Sequence, residues 1–131
     1  MSYDIFVQDL PARALSIEEI PADFVPGPIG PLARIRDVIR AVVPGLTFND
    51  AGWATIEEAE YSIEVNLGTD DPVQSFAFHV RGTEVGLYLV AEILRSLALR
   101  ALAPGTETGF FSLEGDTREA YARWRAYRDH V

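Results

Sequence analysis

A chain of 131 residues, 48% hydrophobic and 11% aromatic, is about one domain long and carries enough apolar material to fold without metal or disulfide support. Its formal net charge of −9 repels phosphate backbones and anionic lipid surfaces, so neither nucleic acid nor a membrane is an expected partner. Cysteine is absent and all 11 basic residues are arginine, which excludes thiolate nucleophiles, iron-sulfur clusters, the usual structural zinc sites, a Schiff-base lysine and the lysine of a phosphate-binding loop.

The opening stretch MSYDIFVQD carries aspartates and no basic n-region, and no apolar run approaches the length of a membrane span, so a cytoplasmic protein is expected. Within it, Tyr3 to Gln8 is rich in β-formers and predicts a first strand, ended by Pro11. Five of the eight prolines fall from Pro11 to Pro31, with Gly27 and Gly30 among them. Such a segment lacks the N–H groups for regular structure and predicts a proline-stiffened excursion over residues 12–30, anchored by Phe24 and Ile29.

Pro31 suits the first position of a helix, and Leu32, Ile35, Val38, Ile39 and Val42 then recur at helical spacing, opposite Arg34, Asp37 and Arg40. Pro44 and Gly45 stop it. LTFND and, after Gly52, WATIEE read as short strand material with a bend at Asp50 to Gly52. YSIEVNLG alternates with Ile63, Val65 and Leu67 on one face and Ser62, Glu64 and Asn66 on the other, and GTDDP then turns the chain. SFAFHVRG alternates in the same way, with Phe76, Phe78 and Val80 against Ala77, His79 and Arg81, so the two runs predict an antiparallel hairpin.

Val85, Leu89, Val90, Ile93, Leu94 and Leu97 build a second helix with Glu84 in its first turn, and ALRALAPG predicts a last strand. The tail from Asp116 predicts a third helix over 116–131, with Asp116 as its cap and Tyr121, Trp124 and either Tyr127 or Arg128 on a docking stripe. These elements predict a single α+β domain over 1–131. Its expected form is a two-layer sandwich of ferredoxin-like type, with two helices on one face of an antiparallel sheet and an added C-terminal helix.

If both long helices cover one face, the other collects Glu64, Asn66, His79 and Arg81, joined by Asp4 or Gln8 from the first strand. Those four residues are the candidate binding set, and His79 with Glu64 the candidate catalytic pair. An imidazole beside a carboxylate can act as a general base, and a guanidinium can hold an anion. The same alternation is also the ordinary pattern of a half-exposed sheet. Glu57 to Glu60 and the pair Asp70, Asp71 match no calcium loop, and no metal is expected. No cofactor is expected either: no GxGxxG is present, and the prolines of PGPIGP remove the N–H groups that a phosphate cradle needs.

Taken together, YDIFVQD, IPADFVPGPIG, the isolated Trp53, SIEVNLG and FAFHVRG resemble strings found in the same order in a family of short bacterial proteins without an established activity. The resemblance spans about residues 3–111 and implies a bacterial origin; it assigns no catalytic residue. The expected function is a small cytoplasmic binding or interaction domain for a protein or small molecule, with a homodimer as one possibility. Two alternatives are an enzyme using His79 as base on an anionic or carbonyl substrate, and an acidic immunity-like protein that neutralises a basic partner.

Overall fold

The β-forming runs of the sequence assemble into one five-stranded sheet in the order β2-β3-β4-β1-β5, with every neighbouring pair antiparallel. The computed structural model describes residues 1–130. In chain order the elements are β1 (Tyr3–Gln8), α1 (Leu32–Val42), β2 (Trp53–Glu57), β3 (Tyr61–Asn66), β4 (Ser75–Gly82), α2 (Val85–Leu97), β5 (Ala101–Leu102) and α3 (Thr117–Asp129). The architecture is α+β, an open antiparallel sheet with three helices. Its five-strand order departs from the four-strand order expected of a ferredoxin-like sheet, because β2 adds an outer edge beside β3.

Alternation decides which face is buried. Tyr3, Ile5 and Val7 of β1, Ile63 and Val65 of β3, and Phe76, Phe78 and Val80 of β4 point into one core with Ile35 and Ile39 of α1 and Leu87, Val90, Ile93 and Leu97 of α2. The helices contribute at a 3.6-residue period and the strands at a period of two, so both patterns converge on one apolar layer. Phe78, fully buried, lies in the middle strand of the five.

The three helices begin in different ways. Pro31 stands at the N-cap of α1, outside the first helical turn, and the exposed N–H of Leu32 donates to Asp71 Oδ1 at 3.1 Å. Glu84 likewise occupies the N-cap of α2 without a capping side-chain bond. At α3, Asp116 does not cap: its Oδ2 accepts from the Glu107 N–H at 2.9 Å, which draws the carboxylate away from the helix toward the preceding loop. The helix start is fixed instead by the buried Thr117, whose Oγ1 accepts from Ser112 N–H.

Helix α3 docks through two of its three aromatic residues. Tyr121 is buried, sets its ring edge against Tyr3 at 5.3 Å and donates its hydroxyl to the Gly82 carbonyl at 2.7 Å. Trp124 packs on both tyrosines. Tyr127 is 65% exposed, and the stripe continues instead through Arg128, whose guanidinium lies 5.1 Å from the Trp124 ring centroid.

Two expected strands are altered by tertiary contacts. LTFND forms no strand: Leu46 is buried, and Phe48 lies under the guanidiniums of Arg36 and Arg40, at 5.4 and 5.6 Å from its ring centroid. The last strand is only two residues long, because the chain turns at Pro104 and comes back so that Leu102 bridges Phe110. The excursion over 12–30 is irregular apart from one 3-10 turn at Ile17–Glu19 and an antiparallel bridge from Gly30 to Val73 at its end. Ile29 packs on the main core and Phe24 is half-buried. Leu10, Ala14 and Ile20 pack with Phe110 and Leu102 in a second, smaller cluster. Leu102 alternates with the inward Ala101, so this cluster lies on the opposite face of the sheet, at the β5 edge.

Candidate functional site

The sheet face turned away from the helices is the polar one, and its register sets which side chains meet. Across it runs a row in which Phe6 of β1 lies opposite Ala77 of β4, Ala77 opposite Asn66 of β3, and Asn66 opposite Trp53 of β2. The next row runs Asp4, His79, Glu64, Thr55, and in the third Arg81 lies opposite Ser62 and Ser62 opposite Glu57. His79, Arg81, Glu64 and Asn66 therefore share one face, together with Asp4, Gln8, Phe6 and Trp53.

The hydrogen bonds do not follow the rows. Glu64 is opposite His79 in register, but its carboxylate bonds the Arg81 guanidinium, Nη1 to Oε1 at 2.8 Å. The carboxylate that holds His79 belongs to Asp4, with Nδ1 to Oδ1 at 2.7 Å. An ionised carboxylate only accepts, so the Nδ1 nitrogen carries the hydrogen and Nε2 of the neutral ring is the acceptor. Ser2 Oγ donates to the same Asp4 oxygen. The pairing expected between His79 and Glu64 is thus replaced by two pairs, Asp4 with His79 and Glu64 with Arg81, which leave the imidazole anchored through Nδ1 and the guanidinium with a counter-charge. Both pairs are partly exposed, and each contributes about 0.2 to 1 kcal/mol to stability.

Trp53 closes this arrangement from the side. Its indole stacks on the His79 ring with centroids 5.6 Å apart and planes 16° from parallel, reaching diagonally over β3. The indole stays 36% exposed and Phe6 46% exposed. Ala77 between them is buried at 7%, so the face is lowest where its side chain is a single methyl group. A depression of about 410 Å³ lies there, with Phe6 and Leu102 on one side, Asn66 and Asp70 on the other, and Gln8 and Ser75 at the strand end. Periodicity placed His79, Arg81, Glu64 and Asn66 on this face. Phe6 and Ala77 had the same alternation as their signal, but without the sheet order nothing placed them beside Asn66 and Trp53.

A second hollow of about 480 Å³ opens between α2 and the segment 111–114, lined by Tyr88, Arg95, Leu99 and Leu113. Its Arg100 is engaged by the protein, donating to the Pro11 carbonyl at 2.6 Å and lying 3.9 Å over the Phe110 ring. Among the described residues, no three His, Asp or Glu side chains gather as metal ligands, and no helix is long and apolar enough to cross a membrane. Comparison with protein-family models, with curated proteins and with solved structures returned no match, so the geometry of the chain itself carries the functional reading.

Proposed function

We propose that this protein is a small cytoplasmic binding domain, without catalytic activity, that engages a protein or small ligand through the open face of its sheet. The observation that carries this reading is the row Phe6, Ala77, Asn66, Trp53: two exposed aromatic side chains flank a low floor beside an amide. Exposed aromatics bring large contact area at small entropic cost, and convergent polar groups beside them set orientation. The ion pairs next to this row are complete within the protein, which suits a surface kept in shape for binding better than one poised for proton transfer. We also read β3, β4, β1 and β5 with α1 and α2 as a βαββαβ unit of ferredoxin-like type, to which β2 is an addition.

The test is native mass spectrometry of the protein captured gently from a bacterium that encodes it, alongside the double variant Phe6→Ser, Trp53→Ala. A bound small molecule or stoichiometric second protein held by the wild type and lost from the folded variant is the expected result. Equal retention by both would remove the open face from consideration.

A second reading is supported by the 2.7 Å bond from His79 to Asp4, since a carboxylate that fixes an imidazole is how a general base is oriented. In that reading Asp4, in place of Glu64, positions His79. It predicts that His79→Gln abolishes turnover of a small carbonyl or anionic substrate while leaving the fold intact. Turnover that survives the substitution would end it.

A further inference from the structure

We propose that the depression on the open sheet face binds a neutral, hydroxyl-rich ligand, a short linear saccharide, lying across the strands from Phe6 toward Trp53. The inference rests on the reading of that face as a binding surface and narrows it to one chemical class.

Size and shape come first. The backbones of Phe6 and Trp53 are three strand spacings apart, roughly 14 Å at about 4.8 Å per spacing, and the indole leans back over β3 against His79, which brings the two rings closer than that. They can each take one end of an extended chain that crosses the Ala77 floor. A pyranose ring offers a face of C–H groups, and the electron-rich face of Phe or Trp is attractive to them.

The polar inventory points the same way. Gln8 and Asn66 supply amides and Ser75 a hydroxyl, each able both to donate and to accept. None of the three makes a side-chain hydrogen bond to another described residue, unlike Asp4, Glu64, His79 and Arg81 on the same face. A saccharide hydroxyl, which also donates and accepts, matches such groups, whereas an apolar ligand would leave them unpaired at a cost.

Charge excludes the main competitor. No guanidinium lines the depression, the nearby Arg81 is already paired with Glu64 and His79 is bonded to Asp4, and the charged group on its rim is the carboxylate of Asp70. With a net charge of −9 behind it, the site is unfavourable for a phosphate or another anion. A neutral ligand pays no such penalty.

The experiment titrates the full chain with cellotetraose, maltotetraose and the tetramer of N-acetylglucosamine at millimolar concentration. It is followed by amide-detected NMR and by the fluorescence of Trp53 in a Trp124→Phe background. At least one of the three should shift the signals of Phe6, Asn66 and Ala77 saturably. Asn66→Ala and Gln8→Ala should each weaken that binding, and Trp53→Ala should weaken it about tenfold, with folding of each variant checked by its amide spectrum. No saturable shift with any of the three, or shifts confined to the hollow beside α2, would overturn the proposal. The two levels fail separately. A non-saccharide ligand or protein lost on Phe6→Ser, Trp53→Ala, with all three saccharides inert, would leave the open face as a binding surface and end the saccharide assignment.

Discussion

Gly52 sits at φ +80°, and a Cβ added there would lie 2.0 Å from the carbonyl oxygen of Gly68. Only a residue without a side chain lets these two turns meet, and their meeting delivers Trp53 to the open face: the Gly52 carbonyl accepts from Leu67 N–H at 2.9 Å and the next residue begins β2. The substitution Gly52→Ala meets both the left-handed backbone penalty, about 1 to 2 kcal/mol, and a clash with main chain that no rotamer relieves. A loss of about 3 kcal/mol in urea denaturation at constant m-value is expected. A loss below about 1 kcal/mol would mean that the Gly68 turn yields freely. The neighbouring pair Glu64 and Arg81 should behave in the opposite way. Glu64→Gln is expected to cost under about 1 kcal/mol, because both partners remain in reach of water.

Among the elements, β2 is the one whose outer edge meets no strand among the described residues, whereas β5 at the other edge is backed by the chain at Phe110. Its even positions face β3, as the bonds of Gly52 and Glu58 to Leu67 and Tyr61 require, so Trp53, Thr55 and Glu57 turn their N–H and C=O groups outward. Asn49 covers the first of these. Its backbone N–H donates to the Trp53 carbonyl at 2.8 Å, and its Oδ1 accepts from the N–H groups of Trp53 and Ala51, both at 3.0 Å. Asn49→Ala removes the two side-chain bonds and loosens the third, lengthening the open edge. It should cost about 1 to 3 kcal/mol and raise self-association above that of the wild type in sedimentation velocity. Asn49→Asp, which keeps the acceptor oxygens, should do neither. Association of Asn49→Ala no greater than wild type would show that the charge of Glu57 protects the edge without help.

This is also where sequence reading reached its limit. The β3–β4 hairpin, α1 and α2 follow from periods that local sequence contains, and with them the face on which His79, Arg81, Glu64 and Asn66 lie. Leu46 and Phe48 alternate like strand residues, yet their burial is supplied by core contact and by two arginines of α1, and no local pattern encodes that. The bond from Asp4 to His79 needs β1 beside β4, a pairing across 75 residues, and the row Phe6, Ala77, Asn66, Trp53 needs three registers at once. A one-residue slip in any of them would put different neighbours together.

At the scale of the whole molecule, composition makes the alkaline limb of stability unusually simple to interpret. With neither lysine nor cysteine, the alkaline range short of arginine ionisation belongs to tyrosine, of which the chain has five. Three of them are raised from their ordinary value. Burial, then the nearby Asp116 carboxylate, pushes Tyr3 up to about 12 against the opposing pull of Arg123, and its hydroxyl donates to the Pro104 carbonyl at 2.6 Å. Tyr121 is raised by burial, and Tyr61 by burial with Glu58 and Glu60 beside it. A phenol with a raised folded pKa holds its proton in the folded chain after the unfolded chain has lost it near pH 10. The folded state then binds more protons, and stability falls with rising pH. Stability should therefore be flat up to about pH 10 and fall steadily from there toward 12, as read by denaturation midpoints beside near-ultraviolet tyrosinate absorbance. Tyr3→Phe separates the terms. Below pH 10 it should be less stable than the wild type by about 1 kcal/mol for the lost hydrogen bond, and the gap should narrow as pH approaches 12 because the variant has no Tyr3 proton to lose. A gap that widens with pH would mean that Tyr3 is ionised in the folded chain, which the Pro104 carbonyl, an acceptor facing its oxygen, opposes.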